Sequence, residues 1–296
     1  MNRPPAPGHA WLPRTSCDVS CLSVGDATGW RRCVVYLRVM RRVMAGLLLL
    51  VPGLPLLAVP LPGRIRMQRA YCWLVLRCLG VRITVSGNPI RNLRGVLVVS
   101  DHISWLDGIA IGAVLPGSFV ARADMFTGPA AGMVARILKI IPIERASLRR
   151  LPGVVDAVAR RLRAGQTVVV FPEGTTWCGS SGTDPGRASH RGYGLFYPAM
   201  FQAAIDTGRP VQPLRLTYQH ADGSLSTVPA YVGEDTLPRS VARMLRARRT
   251  VASVRVEALQ LPGTDRRALA RRCQSAVFGT RPQTGRRQAQ GHALVA

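Results

Sequence analysis

The stretch Ser100-Asp101-His102-Ile103-Ser104-Trp105-Leu106-Asp107 sets an imidazole five residues ahead of a carboxylate. A neutral imidazole can take a proton from an alcohol near pH 7. A carboxylate on its other nitrogen fixes the tautomer and stabilises the imidazolium that forms. A base of this kind is worth about 10²–10⁴ in rate. On a continuous helix, residues five apart point about 140° away from each other, so His102 and Asp107 meet only at a strand-turn-helix junction. The flanks predict one. Val96–Val99 is a β-branched apolar run after Gly95, the pattern of a buried strand, and from Ser104 the spacing turns helical through Leu106, Ile109 and Ile111, with Ser104 available as a cap. Taken alone, the stretch reads equally as a surface histidine beside a helix cap. Asp101 adds a second carboxylate beside the histidine.

Three further stretches carry polar groups at strand ends. Val170-Phe171-Pro172-Glu173-Gly174-Thr175-Thr176 ends a strand in a Pro-Glu-Gly turn, whose carboxylate and glycine backbone suit hydroxyls or a phosphate, or simply a tight turn. Ile141-Pro142-Ile143-Glu144-Arg145 places an arginine where its planar fork suits phosphate, or an ion pair with Glu144. Val211-Gln212-Pro213-Leu214-Arg215-Leu216 is an apolar strand containing a proline and by itself is plain core.

In this order the four stretches resemble the glycerolipid acyltransferase family, whose best-known members are 1-acylglycerol-3-phosphate acyltransferases. The resemblance covers residues 80–235. His102 and Asp107 match its H-x-x-x-x-D pattern, Phe171, Pro172, Glu173 and Gly174 match F-P-E-G, Arg145 matches the arginine block, and Pro213 the proline-containing apolar block. The resemblance implies that His102 activates a hydroxyl of a lysophospholipid acceptor while Asp107 holds the ring. It assigns Arg145, Glu173, Gly174 and Thr175 to binding the acceptor's phosphate and glycerol. The acyl donor would be a thioester of coenzyme A or of a carrier protein, with no resident cofactor and no metal. An activated thioester needs no covalent enzyme nucleophile, and Gly179-Ser180-Ser181-Gly182 lacks the G-x-S-x-G spacing of a serine hydrolase. Members often continue F-P-E-G-T with Arg-Ser, where this chain has Thr176-Trp177. A Gly/Ser-rich loop from Cys178 to Gly194, with Arg187, His190 and Arg191, follows as a lid or a tolerated insertion. The expected acceptor is 1-acylglycerol-3-phosphate, giving phosphatidic acid. The alternatives are another lysolipid, such as an amino-acid-containing one, or a non-catalytic basic membrane-binding protein.

The elements that must position these groups alternate along the chain. Strands are predicted at 83–85, 96–99, 118–121, 141–143, 167–171, 211–218 and 251–257. Helical spacing marks 104–114, the region of Met133–Ile140, 154–162 with Gly165 as its C-cap, 198–207 with Pro198 in the first turn, and 264–277. This predicts an α/β fold, a mixed and mostly parallel sheet flanked by helices, preceded by a membrane-associated helical segment.

Residues 1–30, rich in Pro and Gly without apolar period, read as a disordered extension, and Met40 and Met44 are plausible alternative starts. Residues 31–80 read as an anchor. The uncharged run from Val43 to Leu61 is interrupted by Pro52, Pro55 and Pro60, which predicts a helix over 31–51 followed by a bent part in the interface, with Tyr71–Leu76 at the membrane surface. Arginines flank the run on both sides, as suits a monotopic anchor on the cytoplasmic face, and no small-x-small cleavage site favours a signal peptide. The resemblance implies an acyltransferase domain over residues 81–279, and 280–296 read as a disordered, arginine-rich tail. The net charge is +25, with Lys139 the single lysine among 40 basic residues, so an anionic membrane surface is the expected partner. Aromatic residues make up 6% of the chain and none interleaves with the arginines as a stacking platform, which argues against nucleic acid. The seven cysteines, at 17, 21, 33, 72, 78, 178 and 273, make no C-x-x-C pair and no zinc pattern with the five histidines, and read as reduced thiols.

Overall fold

The computed structural model describes residues 13, 15–22, 31–58, 63–89, 94–126, 128–144, 147–180 and 193–279. Seven strands form one sheet in the order β1-β7-β6-β2-β5-β3-β4: β1 Val81–Gly87, β2 Leu97–Ser100, β3 Ser118–Arg122, β4 Ile141–Ile143, β5 Val168–Val170, β6 Val211–His220 and β7 Thr250–Val256. All pairings are parallel except β6 with β7. The predicted mixed, mostly parallel sheet is therefore the observed one. Helices α1 Arg31–Ala58, α2 Arg64–Cys78, α3 Leu106–Val114, α4 Pro129–Ile137, α5 Leu151–Arg163, α6 Phe201–Thr207, α7 Leu237–Arg246 and α8 Arg266–Phe278 surround it.

The central strand β2 is buried on both faces, as a near-continuous apolar run requires. Val98 packs with Leu76 of α2, Leu106 and Ile111 of α3 and Met244 of α7. Leu97 and Val99 face the other way, toward Val158 of α5, Phe201 of α6 and Leu269 of α8. Burying each such side chain contributes about 1.5–3 kcal/mol, so the strand end that carries His102 is rigidly held from both sides. Gly165 follows α5 with φ 74°, and its N–H reaches the Leu162 carbonyl at 3.0 Å, the predicted left-handed stop.

Several local expectations are corrected. Helix α1 does not end near Val51 but runs to Ala58. Its last turns are held by α2, whose Tyr71 ring lies on the buried Gly53, where a Cβ would meet Tyr71 Cε2 at 2.0 Å. Tyr71–Leu76 belongs to α2, which packs on α3 through the fully buried Leu76 and through Cys72 against Gly112, while Trp73 and Leu74 stay exposed. Pro198 lies in the turn before α6 rather than in its first turn. The reading of 1–30 as disordered does not hold for residues 15–22: Cys17 is 3% exposed and packs into the core cluster on the α3 side of the sheet. The tail 280–296 lies outside the described residues. Among the described residues, no helix is long and apolar enough to cross a membrane.

Candidate active site

Parallel pairing brings the ends of β2 and β5 to the same edge of the sheet, because Val99 is opposite Val170 in a ladder that starts at Leu97 and Val168. Three residues further on, His102 and Glu173 still face each other, and the His102 N–H donates to Glu173 Oε2 at 2.7 Å. β6 flanks β2 on the other side, with Ser100 opposite Leu214, and extends past it to bring up Tyr218. Side chains thus converge at the carboxyl ends of neighbouring parallel strands, the usual place for a site in an open α/β sheet.

The chain turns after Ser100 and enters α3 at Leu106, the junction that the sequence predicts. His102 Nδ1 lies 2.8 Å from Asp107 Oδ2. The same oxygen accepts the Ile103 N–H at 2.6 Å and the Ser104 N–H at 2.8 Å, and Oδ1 accepts the Tyr218 hydroxyl at 2.8 Å. Asp107 is therefore both the orienter of the ring and the anchor for the first backbone N–H groups before the helix. That second role was expected of Ser104, whose hydroxyl instead accepts only the Leu106 N–H, at 3.3 Å. Asp107 is fully buried, while the His102 side chain keeps 17% of its surface exposed. With its Nδ1 proton directed at the carboxylate, the ring presents Nε2 as its basic nitrogen. Phe171 stacks on the imidazole at 4.1 Å between ring centres and 15° between planes, so its place in the motif is to fix the ring plane.

Glu173 takes a different place from the one the motif suggested. It is 2% exposed and its second oxygen accepts the Gly194 N–H at 2.5 Å, so both carboxylate oxygens serve backbone donors and hold the His102 turn rather than face an acceptor. Burial first, and then the charge of Asp101, raises its pKa well above the usual carboxylate range. Asp101 points into the sheet. Its Oδ1 accepts Leu216 N–H at 2.8 Å and the Ser100 hydroxyl at 3.1 Å, and burial lifts its pKa to about 7. Tyr218 is held above its ordinary pKa by burial and then by the Asp107 charge, so it is a hydrogen-bond donor at neutral pH.

Gly174 has φ 69° and its N–H closes the turn onto Phe171 O at 3.1 Å, a conformation that favours glycine. Thr175, half-buried, follows it at the mouth of the turn. Thr176 donates to the Tyr231 carbonyl and Trp177 N–H donates to His102 O at 2.8 Å, while Tyr231 N–H donates to Ile103 O at 2.9 Å. The Thr176-Trp177 departure from the family pattern thus ties the turn to the His102 loop. Arg145 and residues 181–192 lie outside the described residues, and Glu144 pairs with Arg150. Sequence reasoning missed Tyr218 and Tyr231 as supports of the site. Tyr218 reads only as one position of an apolar strand until β6 is placed next to β2.

The family model described as Acyltransferase matches residues 82–217. The lyso-ornithine lipid O-acyltransferase of Pseudomonas aeruginosa is 31% identical over 241 residues, 77% of this chain and 87% of that protein. The 1-acyl-sn-glycerol-3-phosphate acyltransferase of Neisseria meningitidis is 34% identical over 157 residues, 53% of this chain and 57% of that protein. The solved 1-acyl-sn-glycerophosphate acyltransferase PlsC of Thermotoga maritima shares the fold, with a TM-score of 0.53 and 19% identity over 83% of this chain and 94% of that one. A relationship at 31% identity that spans 87% of the relative, on a chain that folds the H-x-x-x-x-D stretch into a hydrogen-bonded His-Asp pair, means that this chain belongs to the acyltransferase family and is an O-acyltransferase.

Proposed function

We propose that the chain moves a fatty acyl group from an acyl thioester, of coenzyme A or a carrier protein, to the free hydroxyl of 1-acylglycerol-3-phosphate, giving phosphatidic acid. The observation that carries this reading is the 2.8 Å contact between His102 Nδ1 and the buried Asp107, at the edge of a partly exposed ring. His102 Nε2 takes the proton of the acceptor hydroxyl as its oxygen attacks the thioester carbonyl. The C–S bond breaks, and the departing thiolate recovers the proton from the imidazolium that Asp107 stabilises. Gly174, Thr175 and Arg145 are assigned to the phosphate and glycerol of the acceptor, and Glu173 to positioning His102. His102→Ala, assayed with membranes, an acyl thioester and 1-acylglycerol-3-phosphate, should lose at least about 10²-fold in rate; wild-type turnover would refute the mechanism.

A second reading, a lyso-ornithine lipid as acceptor, is favoured by the Pseudomonas aeruginosa relative of that name, which aligns over 87% of its length. A panel of the two lysolipids with one donor separates the readings by their kcat/KM ratio.

The site would work at the cytoplasmic face of an anionic membrane, reached through α1. Tyr36, Leu37, Met40, Met44, Leu47 and Leu48 are all exposed and fall within about 120° of one face of a 3.6-residue helix. Beside this face opens a groove of about 810 Å³ lined by Arg38, Arg41, Arg77, Arg82, Arg248 and Arg249, which suits acidic head groups. This assignment leaves the arginine excess to lipid rather than to nucleic acid.

A further inference from the structure

The cysteines that look scattered in sequence are not scattered in space. The Sγ atoms of Cys17, Cys21 and Cys178 all lie within 4.8 Å of one another. Cys17 and Cys178 are buried and Cys21 is half-buried, and all three are free thiols. The segment reaches this point through a single turn of 3-10 helix, Val19–Cys21, capped by Asp18 accepting the Ser20 N–H, which brings Cys17 and Cys21 together. Cys178 arrives from the far side, directly after the Phe171–Trp177 stretch.

From this convergence we infer that Cys17, Cys21 and Cys178 form a thiolate site for a soft divalent cation of the zinc class. A zinc ion bound to sulfur at about 2.3 Å in tetrahedral geometry sets its ligands about 3.8 Å apart. The observed separations, 3.2 Å between Cys17 and Cys178 and at most 4.8 Å across the trio, bracket that value. Polar groups already face the sulfurs: the Cys178 N–H donates to Cys17 Sγ at 3.4 Å, and the Ser180 hydroxyl lies 3.1 Å from Cys178 Sγ. Such contacts stabilise thiolates and orient them. A disulfide would use two of these sulfurs and leave the third idle, whereas a metal uses all three and takes its fourth ligand from the Cys21 side, which is open to water. Binding is a proton exchange without redox change: three thiols give up three protons as three S–Zn bonds form.

The site would clamp residues 15–22, and Pro13 with them, across the active-site turn. Pro13 lies on Gly174, where a Cβ would meet Pro13 Cγ at 2.5 Å, and Gly233 lies under Asp18 with its Cβ position 3.1 Å from Asp18 Cα. The cation therefore fastens the stretch that covers the Phe-Pro-Glu-Gly turn beside His102.

The test uses the full chain, purified reduced and without a metal-affinity step, then equilibrated with Zn²⁺ or Co²⁺ and dialysed. Elemental analysis should find one zinc per chain, and cobalt should give thiolate-to-metal charge-transfer absorption with tetrahedral d–d bands. Cys21→Ser, chosen because its side chain is half-buried and tolerant, should weaken binding at least about tenfold, the scale of losing even an outer-shell partner. Cys273→Ser, in the opposite core, should leave the spectrum unchanged. The inference is overturned by wild-type protein that retains no zinc and shows no cobalt-thiolate band, by equal binding in a variant with all three cysteines changed to serine, or by a Cys17–Cys178 disulfide in the anaerobically purified chain.

Discussion

Asp107 does more than orient His102. Its two oxygens accept four hydrogen bonds, from His102, Ile103, Ser104 and Tyr218, in a fully buried position. Tyr218→Phe therefore leaves one carboxylate oxygen buried without its donor, at a cost of about 1–3 kcal/mol. Denaturant unfolding should read that loss, and kcat should fall with KM unchanged because Tyr218 is buried and reaches the site through Asp107. Glu173→Gln tests the positioning role in another way. The amide can accept from only one of the two N–H groups that the carboxylate serves, His102 and Gly194. Acyl transfer should drop together with stability, and Glu173→Asp should restore little, since the shorter side chain cannot span both donors. The His-Asp pair was legible from residue types because strand and helix patterns fix the junction between them. The inward turn of Glu173 was not, because it depends on the register of β2 against β5.

Helix α1 shows how one element serves two surroundings. One side faces the protein, where Arg42 is 8% exposed and donates to the carbonyls of Met244, Leu245, Ala247 and Arg248 at the carboxyl end of α7. A cation there satisfies carbonyls that the helix leaves unpaired and complements its dipole. Arg42→Ala should cost about 1.5–3 kcal/mol, the worth of hydrogen bonds to a charged group, seen as a lower Tm. The other side carries the exposed apolar stripe. Leu37→Glu with Leu48→Glu should abolish binding to anionic vesicles while leaving Tm unchanged, since both positions are more than 70% exposed. Strands β2 and β5 and helices α3 and α5 were readable from period and caps. Helix α7 was overlooked although Leu237, Val241 and Met244 recur at helical spacing after Thr236, with Pro238 in the first turn, because its arginines mask a stripe of which only Met244 and Ser240 are buried.

At the scale of the whole molecule, a chain of net charge +25 keeps Asp101, Asp107 and Glu173 buried together under its site. Asp101 has its pKa raised from 3.8 to about 7 by burial. The folded state thus holds a proton that the unfolded state has released, and stability from this group is full below pH 3.8 and declines as pH rises toward and through 7. Glu173 is shifted in the same direction. Asp101→Asn, whose amide oxygen can still accept from Leu216 and Ser100, should flatten the fall in Tm between pH 5 and 8. An unchanged slope would mean that Asp101 is ionised throughout. Vesicle binding through the arginine groove should weaken as salt rises from 0.05 to 0.5 M, as Debye screening of exposed charges requires.

The sequence by itself determined the alternation of strands and helices, the meeting of His102 with Asp107 and the family, because these rest on local period, caps and ordered motifs. Only the tertiary structure decided that Glu173 braces a backbone turn, that Tyr218 completes the Asp107 shell, and that Cys178 joins Cys17 across 161 positions. These follow from which strand lies beside which, and in what register. That is set by packing the two faces of one sheet, a condition that no window along the chain contains.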